Sequence, residues 1–270
     1  MAEKDLAELA RRMRVRILEA SYNSGMATHL GGGLSMVEIM AVLYGNLLNY
    51  NYKNPFWAER DRFILSKGHG VLGLFSALVE CGIMTEEKFK TFMQNESDLI
   101  AHPIANLSLG IESSNGSLGQ GLSYGIGIAW AAKLKREKFH TYVYLGDGEC
   151  DEGSVWEAAM AAPHLKLDNL TVIVDSNGLQ SDGETVEIMD SSDLSSKFKS
   201  FGWDTYIVDG HDIRGLKAAF TANPSSDFPK VLVAKTVKGK GISFMENDNS
   251  WHHNRLTQGN FEKAMLEVVP

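Results

Sequence analysis

The sequence predicts an α/β fold: a doubly wound, mainly parallel sheet with helices on both faces, in a single domain spanning residues 1–270. Three observations carry that prediction. In the second half, β-branched apolar runs (TYVYLGDG, LTVIVDSN, DTYIVDG, KVLVAKTVKG) alternate with helix-length segments (SVWEAAMAAPHL, IRGLKAAFTAN), the pattern of parallel strands buried on both sides. No stretch is rich enough in Pro, Gly or Ser to serve as a linker, and no fixed-period repeat occurs. A chain of 270 residues is long enough to bury one core of this size.

The elements can be justified in order. MAEKDLAELARRMRVRILEASYNSG is amphipathic, with Leu6, Leu9, Met13 and Ile17 at helical spacing among charged residues; it has no uninterrupted apolar stretch and is no signal peptide. The Gly-rich segment NSGMATHLGGGLS reads as a turn, and MVEIMAVLYGNLL as a buried helix. NPFWAERDRFILSKGHG gives a Pro-initiated turn, a short strand RFILS and a loop. VLGLFSALVECG is then a small-residue helix ended by Gly82. From Ser113, SSNGSLGQGLSYGIGIAWAAKLKRE is a glycine-rich loop opening into a helix.

Composition narrows the partners. The formal charge of −8 disfavours a nucleic-acid backbone or an anionic membrane, since both reward clustered Lys and Arg. No run of about 18 apolar residues occurs, so no membrane span is predicted. Two cysteines, Cys81 and Cys150, without CxxC spacing, point to buried or incidental thiols in a reducing, cytoplasmic compartment.

The chemistry concentrates after the strand TYVYLGDG, where Asp147, Glu149, Asp151 and Glu152 crowd six positions; such repulsion calls for a cation or separate partners. Asp147 ends one strand, and Asn177 ends the next, thirty residues later. That is the length of one βαβ crossover, so both side chains reach the same sheet edge, where ligands of such sheets collect. A carboxylate and an amide oxygen suit Mg²⁺ or Ca²⁺ rather than zinc, and Mg²⁺ held by so few protein groups usually also holds phosphate oxygens. Gly148 would let a phosphate approach the backbone. KTVKGKG is no Walker A loop, because Ala234 stands where glycine is required, and GQGLSYG is no dinucleotide fingerprint.

GDG followed some thirty residues on by Asn resembles the thiamine-diphosphate signature, and GDGECDEGSVWEAAMAAPHLKLDNLTVIVDSNGLQSDG is similar in detail to transketolase. The likeness extends through HLGGGLS, RDRFILSKGHG, GSLGQGLSYGIGIA, GWDTYIVDGHD and KTVKGKGISFMENDNSWH. Transketolases are longer, and this chain resembles the N-terminal subunit of a split, two-chain transketolase, the diphosphate-binding domain of the thiamine-diphosphate fold. The resemblance implies a metal held by Asp147, Asn177 and the Leu179 carbonyl, with Gly148 on the diphosphate. Gly116, Ser117 and Leu118 would contact the aminopyrimidine, with Ser117 where many relatives carry Pro. His69 would contact the diphosphate, His252 both cofactor and substrate, and His29 and His102 the sugar hydroxyls. His29 is aligned through GGGLS, with three extra residues before it. Lys238 is assigned to diphosphate or substrate, with a solvated strand end as its alternative reading. Glu152 matches an interface glutamate and is equally readable as an acid at a helix N-terminus. Glu149 or Asp151 would face solvent or a neighbouring chain. His140, His164, His211 and His253 are read as structural.

The implied reaction passes a two-carbon ketol unit from a ketose, a sugar phosphate or sulfosugar, to an aldose, with His29, His69, His102 and His252 as hydrogen-bonding and acid–base groups. The glutamate that activates the aminopyrimidine belongs to a domain outside these residues, so a C-terminal partner subunit is expected, in an α₂β₂ heterotetramer. The alternatives are the α subunit of a thiamine-dependent 2-oxo acid dehydrogenase and a non-catalytic thiamine-diphosphate-binding protein.

Overall fold

The computed structural model describes residues 1–190, 193–222 and 227–269. Its main sheet has five strands: β2 (Arg62–Leu65), β3 (Thr141–Gly146), β4 (Leu170–Ser176), β5 (Asp204–Asp209) and β6 (Lys230–Lys235). Their order is β2-β3-β4-β6-β5 and every pairing is parallel. Two further strands, β1 (Ala27–Thr28) and β7 (Asn254–Arg255), form a separate antiparallel ladder pairing Thr28 with Asn254. The helices are α1 (Glu3–Ser24), α2 (Leu30–Leu34), α3 (Val37–Val42), α4 (Val71–Glu80), α5 (Glu86–Phe89), α6 (Gln120–Lys135), α7 (Gly153–His164), α8 (Thr185–Ile188), α9 (Leu194–Ser200), α10 (Ile213–Thr221) and α11 (Gln258–Val268).

Period-2 side-chain alternation divides the apolar residues of the strands between two cores. Phe63, Leu65, Tyr144, Ile173 and Ala234 pack with α1, α3, α4 and α11. Ile64, Val143, Leu145, Val172, Val174, Val231 and Val233 pack with α6, α7 and α9 on the other face. Each of the larger aliphatic side chains contributes roughly 1.5–3 kcal/mol by leaving water, so neither face of the sheet can be exchanged for the other. This is the doubly wound α/β arrangement expected from the alternating runs.

Local sequence explains most boundaries. Leu6, Leu9, Met13 and Ile17 are buried along α1, which ends where Gly25 turns left-handed at φ +63°. The segment read as a Gly-rich turn instead holds β1 and α2; Gly31, Gly32 and Gly33 are helical and buried, with neighbouring groups close against each. At Gly31 a Cβ would lie 2.9 Å from Lys238 Cγ. The buried helix over MVEIMAVLYGNLL divides into α3 and a π turn at Leu43–Leu47. The strand expected over residues 230–239 stops at Lys235, and the chain curls away. Gly239, at φ +79°, donates its N–H to the Gly31 carbonyl at 3.1 Å. The helix expected to reach Asn223 ends at Thr221, and Asn223 lies outside the described residues.

Candidate cofactor and sugar site

The register of β3 against β4 builds the site's floor. Gly146 pairs with Asp175, so the residues just beyond the strands, Asp147 and Asn177, emerge at one edge. Asp147 is buried, its carboxylate accepting from Gly148 N–H at 2.8 Å and Gly178 N–H at 2.6 Å. Burial pushes this carboxyl up to about 6, and the nearby Asp175 charge adds to the rise against the pull of the two amides and Lys67. Asn177 accepts from Leu179 N–H at 3.0 Å and donates to Asp175 at 3.1 Å. The Leu179 carbonyl receives the Lys238 ammonium at 3.1 Å, which also reaches Gln180 O at 3.2 Å, Asn249 Oδ1 at 2.9 Å and His252 Nδ1 at 2.8 Å. Burial, and then the charge of Lys67, lower the Lys238 ammonium to about 8.

Behind this edge lies an ion pair that sequence reasoning missed. Lys67 and Asp175, 1 % and 0 % exposed, meet at 2.5 Å. Asp175 also accepts from Ser35 Oγ at 2.6 Å and from Thr236 Oγ1, and its carboxyl is driven up by burial but held down to about 2 by Lys67 and these hydroxyls. The Lys67 charge also weakly opposes the rise that burial gives Asp147 and Glu149. Glu149 corrects an expectation: it is buried, not solvent-facing, accepting from Gly119 N–H at 2.9 Å, Gly146 N–H at 3.0 Å and Ser66 Oγ. Asp151 is half-buried, and Gln180 Nε2 donates to it at 2.6 Å. Glu152 is exposed at the N-cap of α7, where its side chain makes no capping bond.

The histidines close the other side. His29 lies at the centre, its ring centroid 5.3 Å from His69, 5.8 Å from His102 and 5.4 Å from His252. His253, read as structural, stands 4.5 Å from His29 and joins this cluster. The β1–β7 ladder explains its place: continuing the Thr28–Asn254 pairing by one residue sets His29 opposite His253. The three residues that precede His29 in this chain, Met26, Ala27 and Thr28, include both residues of β1. Burial, then His253 and the other neighbouring imidazoles, lower His29 to about 3. Burial and Lys238 lower His252 to about 4, while burial is the leading cause of the depression of His69 and His102. These four rings are therefore neutral near pH 7 in the cofactor-free chain, each able to donate one hydrogen bond and accept one. Of the other histidines, His140 bonds Thr171 at 2.8 Å, His164 is exposed, and His211 bonds Glu38 at 2.9 Å.

One cleft of about 230 Å³ is lined by His29, Lys67, His69, His102, Gly116, Leu118, Asp147, Gly148, Asn177, Leu179, Lys238 and His252, together with Glu149, Gln180 and Ser181. Ser117 is exposed and is not among the lining residues, and neither is Glu152. Gly148 also gives Gln180 room, because a Cβ there would lie 2.6 Å from Gln180 Cγ. Among the described residues no group of three or more His, Cys, Asp or Glu could hold a metal by itself. The donor set at the edge is one buried carboxylate, one amide oxygen and one carbonyl already in contact with a cationic group. Those are oxygen ligands for a hard divalent cation that takes its remaining ligands from phosphate. The residues present therefore fit a metal–diphosphate group, with glycines beneath and neutral imidazoles above.

Comparison with known proteins agrees with this geometry. The family described as "Transketolase, thiamine diphosphate binding domain" matches residues 3–266. An apulose-4-phosphate transketolase subunit from Actinobacillus succinogenes is 39% identical over 98% of this chain and 96% of its own length. The 6-deoxy-6-sulfo-D-fructose transketolase subunit SqwG of a Clostridium species is 37% identical over the same shares. Among solved structures, the transketolase of Leishmania mexicana superposes with a TM-score of 0.90 at 29% identity, covering 99% of this chain and 41% of that one. The chain thus spans about two fifths of the length of that solved transketolase. On the family match and on these relatives, the chain belongs to the transketolase family, as its thiamine-diphosphate-binding domain.

Proposed function

We propose that this chain is the N-terminal subunit of a two-chain transketolase, one diphosphate- and metal-binding domain over residues 1–270, active only with a C-terminal partner subunit that carries the pyrimidine-binding half. The observation that carries the reading is the convergence of Asp147, Asn177 and the Leu179 carbonyl with four histidines on one cleft. Relatives named as transketolase subunits are matched over nearly their whole length, which supports the two-chain arrangement; we take it to be an α₂β₂ heterotetramer. The family match favours transketolase over the α subunit of a 2-oxo acid dehydrogenase or a non-catalytic binder.

In this reading Asp147, Asn177 and Leu179 hold Mg²⁺ or Ca²⁺, with Mg²⁺ preferred for its habit of sharing phosphate oxygens. Gly148, His69 and Lys238 hold the diphosphate; Gly116, Ser117 and Leu118 support the aminopyrimidine. When bound, thiamine diphosphate supplies the carbon nucleophile for transferring a two-carbon ketol unit from ketose to aldose. His29, His102 and His252, neutral near pH 7, donate to and accept from sugar hydroxyls and move protons at them. Glu152, exposed beside the Gly119 turn, meets a neighbouring subunit. The substrates are sugar phosphates or sulfosugars, the classes named for the relatives. Both thiols, Cys81 and Cys150, are free, which suits the cytoplasm. No helix among the described residues is long and apolar enough to cross a membrane, and neither membrane nor nucleic acid is assigned as a partner.

Calorimetric titration of thiamine diphosphate with Mg²⁺, into the chain by itself and with its partner subunit, tests the proposal. Weak binding to the single chain, tight binding in the mixture and loss of both in Asp147→Ala are expected. Absence of binding in the mixture rejects the cofactor and the function with it.

A further inference from the structure

We propose that Arg14, Glu38 and His211 form a positioning network that fixes Lys238 in the cleft, an inference that rests on the assignment of Lys238 to the cofactor site. None of the three lines the cleft. Val237 N–H donates to His211 Nε2 at 2.8 Å, so that nitrogen carries no proton. The proton is therefore on Nδ1, which donates to Glu38 Oε2 at 2.9 Å. The other Glu38 oxygen accepts from Arg14 Nη2, and Arg14 Nε donates to the Lys240 carbonyl at 3.0 Å. The backbone is gripped at residue 237 and again at residue 240, and Lys238 lies between. A closed ring of hydrogen bonds thus joins α1, α3, the loop after β5 and the segment that carries the lysine.

Packing shows how closely these parts fit. A Cβ on Gly241 would stand 2.5 Å from Arg14 Nε, and one on Gly210 would clash with Thr236 Cγ2. Glycine at both positions lets the segment lie directly against the network. Arg14 and Glu38 are 9 % and 8 % exposed. Buried ion pairs of this kind add little net stability over apolar packing, so their most evident effect is to impose one geometry. That geometry delivers the Lys238 ammonium to the Leu179 and Gln180 carbonyls and to His252. The GHD of VDGHD and the GKG of TVKGKG are in this way two halves of one device, and His211 is a positioning residue that never touches the cofactor.

The test is a double-mutant cycle read by calorimetric binding of thiamine diphosphate with Mg²⁺ to the chain combined with its partner subunit. His211→Ala is expected to weaken binding about tenfold. His211→Gln, whose Oε1 lies as many bonds from Cβ as Nε2 does and can accept from Val237, is expected to recover most of that loss. Lys238→Ala weakens binding at least as much as His211→Ala, and the double variant is no weaker than Lys238→Ala to within about twofold. Multiplying losses, or undiminished affinity in His211→Ala, overturn the network. If His211→Ala melts below the assay temperature, Glu38→Gln serves in the same cycle. A wild-type complex that binds no cofactor rejects the functional reading itself, an outcome distinct from binding with multiplied losses.

Discussion

Asp147 and Lys67 show how charge is arranged at the scale of single residues. Asp147 is held ionised against burial and against Asp175, which is unfavourable until a cation arrives. Asp147→Asn removes that repulsion but sets an NH₂ group against the Gly148 or Gly178 N–H, two opposed effects of about 1–3 kcal/mol each, so Tm by calorimetry should move little while metal and cofactor binding are lost. A Tm lowered by much more than the roughly 2–6 °C of one such effect would show that the carboxylate is not strained. Lys67 has the opposite role. Lys67→Met strands the fully buried Asp175 and should cost about 3–5 kcal/mol in urea unfolding. The meeting of Asp147 and Asn177 at one sheet edge was legible in the sequence because each stands just past a β-branched run and the two are one crossover apart. Lys67, Asp175 and Glu149 were not, because their pairing depends on side chains brought together from separate strands. His253 was missed for a different reason: the two-residue ladder that sets it opposite His29 is too short to leave any periodic signal.

Among the elements, the strands and long helices were legible wherever burial was uniform, as in β3 and β4, or periodic, as in α1. The short pieces were not. The five-residue α2 carries three glycines of poor helix propensity, and the packing of Lys238 and His69 against them holds it in place. The end of β6 was overestimated because Val237 continues the apolar pattern while its N–H turns to His211 instead of a neighbouring strand. The link between α1 and α3 makes its own prediction. Burial pushes Glu38 up, but the hydrogen bond from His211 and the charge of Arg14 leave it below its ordinary 4.5. A carboxyl held below its unfolded value contributes stability above that value and loses it as pH falls through the folded one. Urea midpoints followed from about pH 7 to about pH 3 should fall more steeply below 4.5 for the wild type than for Glu38→Gln. Parallel curves would mean that the pairing adds nothing to acid stability.

For the whole molecule, every residue assigned to cofactor or sugar lies on a loop or helix end at one edge of the sheet, and none lies in either core. Cofactor binding should therefore appear as a ligand effect on an already folded scaffold. With partner subunit present and free cofactor about a hundredfold above its Kd, stability should rise by about 2.7 kcal/mol. A melting scan that shows this shift with Mg²⁺ and loses it with a chelator would support the arrangement; a shift indifferent to metal would not. The β1–β7 ladder carries a consequence for how such a protein is made. It ties residue 28 to residue 254, so on the ribosome the edge between β3 and β4 that bears Asp147 and Asn177 can form long before the histidine cluster has its fifth ring in place. A nascent chain halted before Asn254 would carry the floor of the cleft and all five histidines but not the ladder that sets His253 against His29, and assembly of the complete site waits for the last strand to emerge.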